Sequence, residues 1–225
     1  MEKFKYCLFD LDGTLTDPGE GITKSVQYAL RSLGIEEPDL KKLERFIGPP
    51  LKDSFMEHYG FTQEQAAQAV LAYRERFAPI GILENRIFPD IPLMLFNLKK
   101  RGISLAVASS KPVNFVRQIL SHFAIGQYFD VIIGSELDGT RSAKEEVVEA
   151  ALRELGVFTL PMDERHRHCA MIGDRKFDIQ GAKANGITSV GVAFGFAELG
   201  ELEREGAEFI AGTVKELEAY LLGEL

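Results

Sequence analysis

A chain of 225 residues, 45% hydrophobic and 27% charged, is long enough for one α/β core and a smaller inserted unit. Its net charge of −8, with acids and bases interleaved, excludes a basic surface for nucleic acid or an anionic membrane. The two cysteines, Cys7 and Cys169, stand in separate apolar runs with no CxxC spacing and no His/Cys cluster, so buried reduced thiols are expected and neither a disulfide nor zinc.

The opening MEKFKYCLFD has an acid, Glu2, at position 2 and passes at once into a strand-like run, so no secretory leader is read there. No later stretch has the length to span a bilayer, and a reducing cytoplasm is the expected setting. Short apolar, β-branched or aromatic runs recur at 4–9, 103–108, 131–133, 169–172, 187–192 and 209–210. Each leads into a turn and a helix-period segment, as at Val147, Val148, Ala151, Leu152 and Leu155 before Gly156, or at 92–98 before Gly102. That alternation predicts a doubly wound, Rossmann-like α/β fold with a parallel sheet.

One connection is too long. A crossover needs only a few tens of residues, whereas roughly 90 separate Phe9 from Ile103. Residues 17–82 read as helices throughout, with Ile22, Val26, Leu30 and Leu33 on one face and further helices at 40–46, 51–58 and 63–77. Breaks fall at Pro18-Gly19, Gly34, Gly48-Pro49-Pro50, Gly60 and 79–81. The expected organisation is a core from 1–16 and 83–225, with an all-helical cap at 17–82.

Polar chemistry gathers where the predicted strands end. The first run closes on Asp10-Leu11-Asp12-Gly13-Thr14, two carboxylates at the edge where open α/β sheets place ligands, with Gly13 free to turn at positive φ. A hairpin at Asp12-Gly13 is the plain alternative, but a helix follows it rather than a returning strand. A calcium loop would need Gly sixth and Glu twelfth, and Leu15 and Gly21 stand there. The second run closes on Ser109-Ser110-Lys111-Pro112, where a serine is either a helix cap or, with free N–H groups, part of a phosphate cradle. Ser142 and Glu145 have capping-box spacing, which puts Lys144 in a first turn, against the helix dipole, unless an anion offsets it. The fourth motif supplies Asp174 and Asp178, the latter also a plausible N-cap. Four acids at one edge, with oxygen-only ligands, suit Mg²⁺. His166 and His168, flanking Arg167, read as a solvated loop ahead of a strand rather than a metal site. No GxxxxGK(S/T), GxSxG or HExxH pattern occurs.

DxDGT, then Ser/Thr, then Lys, then GDxxxD, in this order and over essentially the whole chain, closely resembles the haloacid dehalogenase superfamily. The phrases FDLDGTLTD, IGPPL, ASSKP, SELDGTRSAKEEV and IGDRKFDIQGAKANG are most similar to its phosphoglycolate phosphatase and bacterial 5′-nucleotidase branch, which carries a helical cap. The resemblance implies a Mg²⁺-dependent phosphomonoester hydrolase, with Asp10 as nucleophile and Asp12 as acid and base. Ser109 and Lys144 would hold the phosphoryl group, and Gly13, Thr14, Ser110 and Lys52 would meet substrate. Asp10, the Asp12 carbonyl and Asp174 would bind the metal, with Asp178 a ligand or its support. The implied partner is a small phosphorylated metabolite, phosphoglycolate or else a nucleoside 5′-monophosphate, for a monomer or homodimer that binds neither nucleic acid nor membrane. A mutase of the β-phosphoglucomutase type shares all four motifs. A non-catalytic metabolite-binding regulator fits less well, because Asp10, Asp12, Lys144 and Asp174 are all present.

Overall fold

A computed structural model describes residues 4–225; Met1, Glu2 and Lys3, and with them the reading of an acid at position 2, lie outside the described residues. Six parallel strands form the sheet: β1 Tyr6–Phe9, β4 Ser104–Pro112, β5 Val131–Ser135, β6 Cys169–Gly173, β7 Thr188–Val192 and β8 Phe209–Ala211. Their order is β5-β4-β1-β6-β7-β8, so the chain winds outward on one side of β1 and then returns to wind outward on the other. That reversal opens the ligand-binding crevice at the carboxyl ends of β1 and its neighbours.

Strand side chains alternate between two apolar layers, which is why the runs are hydrophobic at nearly every position. Cys7, Phe9, Leu105, Val107, Ala170 and Ile172 face α4 (Ile91–Lys100), α5 (Val113–His122) and α10 (Val214–Leu222). Leu8, Ala106, Ala108, Cys169 and Met171 face α6 (Lys144–Glu154) and α8 (Lys176–Ala184). Both cysteines are buried free thiols, and burial pushes each thiol well above its ordinary value, so neither is reactive. Among the described residues no helix is long and apolar enough to cross a membrane.

Residues 17–82 are not helical throughout. The chain leaves β1 through a two-residue strand, β2 Thr16–Asp17, which pairs antiparallel with β3 Arg86–Ile87. Between these strands lie α1 Gly19–Ser32, a 3₁₀ helix at Leu40–Phe46, α2 Leu51–Tyr59, α3 Gln63–Arg76 and a π-helical turn at Phe77–Gly81. The 3₁₀ segment starts where Asp39 accepts a bond from the Lys41 N–H and stops before Gly48-Pro49-Pro50. Pro79, which has no N–H to give, accounts for the changed helical register at Phe77–Gly81.

Three local expectations are corrected. β4 runs on to Pro112, with φ −53° and ψ 131°, so neither Ser110 nor Ser109 caps α5, and Pro112 precedes its first turn. α6 begins after Ala143 with no side-chain cap, so Ser142 and Glu145 form no capping box. The segment with His166 and His168 is helix α7, Met162–His168, rather than a loop, because Asp163 and Glu164 lead its first turn, basic residues fill its last, and Asp163 pairs with Arg167 at 2.9 Å. His166 Nε2 lies 3.1 Å from Glu208 Oε2, and among the described residues neither histidine belongs to a group of side chains close enough to share a metal ion.

Candidate active site

β1 ends at Phe9, and the next residue delivers Asp10 with its N–H bonded to the Ile172 carbonyl of β6 at 2.9 Å. The loop turns at once: Leu15 and Thr16 donate N–H bonds back to the Leu11 carbonyl. Gly13, at φ +81°, makes the turn possible, and a Cβ there would stand 2.1 Å from Asp174 Oδ2. Thr14 is fully buried beneath the loop. Gly13 and Thr14 thus shape the loop, and neither lines the cavity that opens above Asp10 and Asp12.

Asp10, Asp174 and Asp178 converge from β1 and from the β6–α8 turn, each able to bring a carboxylate oxygen within 4.8 Å of the others. All three are buried. Lys144 reaches them from the first turn of α6, its Nζ 2.9 Å from Asp10 Oδ1 and 2.8 Å from Asp178 Oδ1, while also donating to the Ala108 carbonyl at 3.2 Å. Gly181 permits that approach, since a Cβ there would press on Lys144 Cγ at 2.9 Å. Burial opposes the Lys144 charge, but the Asp10 and Asp178 carboxylates overcome it and hold the ammonium above its ordinary range.

One lysine does not neutralise three acids. Burial, then the neighbouring Asp178 and Asp10, drives the Asp174 carboxyl well above its ordinary value. Its Oδ2 accepts the Phe196 N–H at 2.7 Å, and its Oδ1 is buried with no hydrogen-bond donor among the described residues. Buried uncompensated carboxylate oxygens, with no His or Cys among them, make a donor set suited to a hard divalent cation. Asp178 is not the N-cap residue of α8; it sits in the first turn and accepts the N–H of Arg175, which holds the N-cap position, at 3.0 Å, as the third helical residue of a capping box does.

The Asp12 carboxylate lies outside this acid trio. It points at Lys111, whose Nζ is 2.6 Å from Asp12 Oδ2 and 4.7 Å from the centre of the Phe77 ring. Lys111 escaped the sequence reading, although it stands inside ASSKP. Ser109 is buried, its Oγ accepting the Lys111 N–H at 3.4 Å. Above Asp10 and Asp12 opens a cavity of about 610 Å³. Ser109, Ser110 and Lys111 form its floor, Tyr73 and Phe77 line it from the helical segment, and exposed Lys52 lies at its edge. Arg74 closes one side by donating to the Leu137 carbonyl at 2.9 Å.

Residues 7–192 match the family model of haloacid dehalogenase-like hydrolases. The chain belongs to this family. It is 52% identical to a 5′-nucleotidase of Pseudomonas aeruginosa, over 89% of this chain and 87% of that one. It is also 37% identical to the tyrosine-protein kinase PtkA of Mycobacterium tuberculosis, over 93% of this chain and 70% of that one. Proteins named phosphoglycolate phosphatase match at 25–29% identity. The crystal structure of a predicted phosphatase from Clostridium acetobutylicum superposes with a TM-score of 0.92 at 46% identity, covering 99% of both chains. This haloacid dehalogenase-like hydrolase is therefore an enzyme of the phosphatase kind, as its motifs imply.

Proposed function

We propose that the chain is a Mg²⁺-dependent phosphomonoester hydrolase that works through an aspartyl-phosphate on Asp10, with nucleoside 5′-monophosphates as substrates and residues 17–82 as its cap. The observation that carries this reading is the opening of Asp10, Asp12 and Ser109 into a single cavity of about 610 Å³ under the helical segment. A space of that size is typical of sites that enclose whole cofactor-sized ligands. Glycolate would leave most of it empty, whereas a nucleoside has a flat apolar face for Tyr73 and Phe77 and polar edges for Lys52. The likeness to the Pseudomonas 5′-nucleotidase supports the same choice. Phosphoglycolate remains the second substrate to test.

Asp10 attacks phosphorus as the bond to the leaving oxygen breaks, and Asp12 gives that oxygen its proton. Asp12 then takes a proton from the water that splits the acyl phosphate, which returns both residues to their starting states. Lys144 and the Leu11 N–H, 2.9 and 2.8 Å from Asp10 Oδ1, fix the orientation of the attacking carboxylate. Ser109 and Lys144 would hold the phosphoryl oxygens as charge builds on them. Asp10, Asp174 and the Asp12 carbonyl would hold Mg²⁺, with Asp178 tied to Lys144. Bound there, the ion supplies the positive charge that lets an anionic carboxylate meet an anionic phosphate.

Phosphate release from adenosine and uridine 5′-monophosphates, phosphoglycolate, sugar phosphates, pyrophosphate and an aryl phosphate tests the proposal. The nucleotides should give the highest kcat/KM. Preference for phosphoglycolate would overturn the substrate assignment, and full activity in EDTA would overturn the metal dependence.

A further inference from the structure

Arg175, the residue after Asp174, is buried, yet the chemistry proposed above makes no use of it. Its Nε donates to Glu201 Oε1 at 3.0 Å and its Nη1 to the Ile47 carbonyl at 2.7 Å, with side-chain exposures of 9% for Arg175 and 6% for Glu201. Glu201 is itself held, by the Lys176 N–H at 2.7 Å and the Glu198 N–H at 3.0 Å. A buried ion pair adds little net stability over an apolar replacement, so burying this one calls for another reason.

Its other end supplies one. Ile47 immediately precedes Gly48-Pro49-Pro50, the loop that brings Leu51 and Lys52 to the cavity edge. Gly48 has φ +101°, and a Cβ there would meet Arg175 Cγ at 3.0 Å, so the loop lies flat on the arginine stem. Two successive prolines restrict the backbone beyond it, and the anchor at Ile47 therefore carries through to Lys52. At its own backbone, Arg175 donates its N–H to Asp178 of the acid trio. One residue thus ties the acids of the core to a loop 128 positions away in sequence.

We propose that Arg175, braced by Glu201, is a positioning residue that latches the 47–52 loop over the site and thereby sets Lys52 against the leaving group. This rests on the reading of residues 17–82 as the cap of a phosphatase. A planar guanidinium, with its donors fixed in a fork, can hold a carboxylate and a carbonyl together in a way that a lysine ammonium does not reproduce.

The test uses the full-length chain as wild type, Arg175→Lys, and the doubly neutral Arg175→Gln/Glu201→Gln, which leaves no unpaired buried charge. Hydrogen exchange is followed across 47–56 and across α3, and kinetics are measured on adenosine 5′-monophosphate and p-nitrophenyl phosphate. Both variants should exchange about tenfold faster at 47–56 with α3 unchanged, since loss of a local anchor opens a local unit. KM for the nucleotide should rise about tenfold with kcat within about threefold, while aryl phosphate kinetics stay within about threefold, the pattern of lost ground-state binding. Unchanged exchange at 47–56, or equal losses on the two substrates, would overturn the latch. If the double variant does not fold, Arg175→Lys decides by the same criteria. A wild type inactive on every phosphate would overturn the phosphatase reading, while the exchange measurement still reports on the latch.

Discussion

Lys111 Nζ stands 2.6 Å from Asp12 Oδ2, with the two side chains only 7% and 9% exposed. Burial raises the Asp12 carboxyl above its ordinary value, and Lys111 is the nearest charge that opposes the rise. The lysine thus tempers how readily the proposed acid holds its proton, and its contact with Phe77 ties the pair to the exit from the helical segment.

Lys111→Met should therefore damage both fold and chemistry. Removing one member of a buried pair strands the other, at a cost of about 3–5 kcal/mol. Urea unfolding should register that loss, and kcat should fall about 10²-fold, as expected when an acid–base group is left badly poised. A kcat within about twofold of wild type would deny Asp12 its partner.

Gly13 and Gly34 have nearly the same φ, +81° and +78°, but differ in their surroundings. A Cβ at Gly13 would meet the Asp174 carboxylate at 2.1 Å, and one at Gly34 would meet nothing within 4 Å. Gly34→Ala should cost only the left-handed backbone penalty, about 1–3 kcal/mol, and keep activity. Gly13→Ala should cost more by denaturant unfolding and abolish phosphate release. Equal stabilities for the two variants would contradict this packing.

Metal binding should show in the pH dependence of stability. Asp174 and Asp178 are both raised from an ordinary value of 3.8, by burial first; Asp178 and Asp10 add to the rise at Asp174, whereas at Asp178 Lys144 opposes the rise and Asp10 adds to it. A carboxyl raised on folding binds its proton more tightly in the folded state, so these residues stabilise the metal-free protein in acid and lose that contribution as pH rises above 3.8. A bound cation reverses the penalty. The rise in Tm on adding Mg²⁺ should be larger near about pH 7.5 than near about pH 5. An equal rise at both would place the ion elsewhere.

Much of this was legible in the sequence because the informative residues lie at ends of hydrophobic runs. Asp10 and Asp174 follow strands buried on both faces, and Ser109 comes straight after the buried apolar run of β4; a run of apolar residues announces each of these directly. Lys111 and Arg175 were not legible. Their partners, Asp12 and Ile47, stand 99 and 128 positions away, and no local pattern encodes such a meeting. The β2–β3 pairing was missed for a different reason: two residues per strand are too few to show a period. The capping box at Ser142 and Glu145 had the right spacing, but Ala143 takes the position next to the helix instead.

Lys52 tests the assignment of substrate recognition to the cap. Lys52→Ala should lower kcat/KM for nucleoside monophosphates about tenfold while changing aryl phosphate turnover less than about threefold. Equal effects on every substrate in steady-state assays would remove Lys52 from that role.

Asp10 is the residue on which the proposed chemistry depends most directly. Wild type and Asp10→Asn should be compared for phosphate release from adenosine 5′-monophosphate and p-nitrophenyl phosphate in Mg²⁺, with circular dichroism to confirm that both are folded. The variant should keep the fold and release no phosphate above background from either substrate. Phosphate release at the wild-type rate by folded Asp10→Asn would contradict nucleophilic attack by this residue.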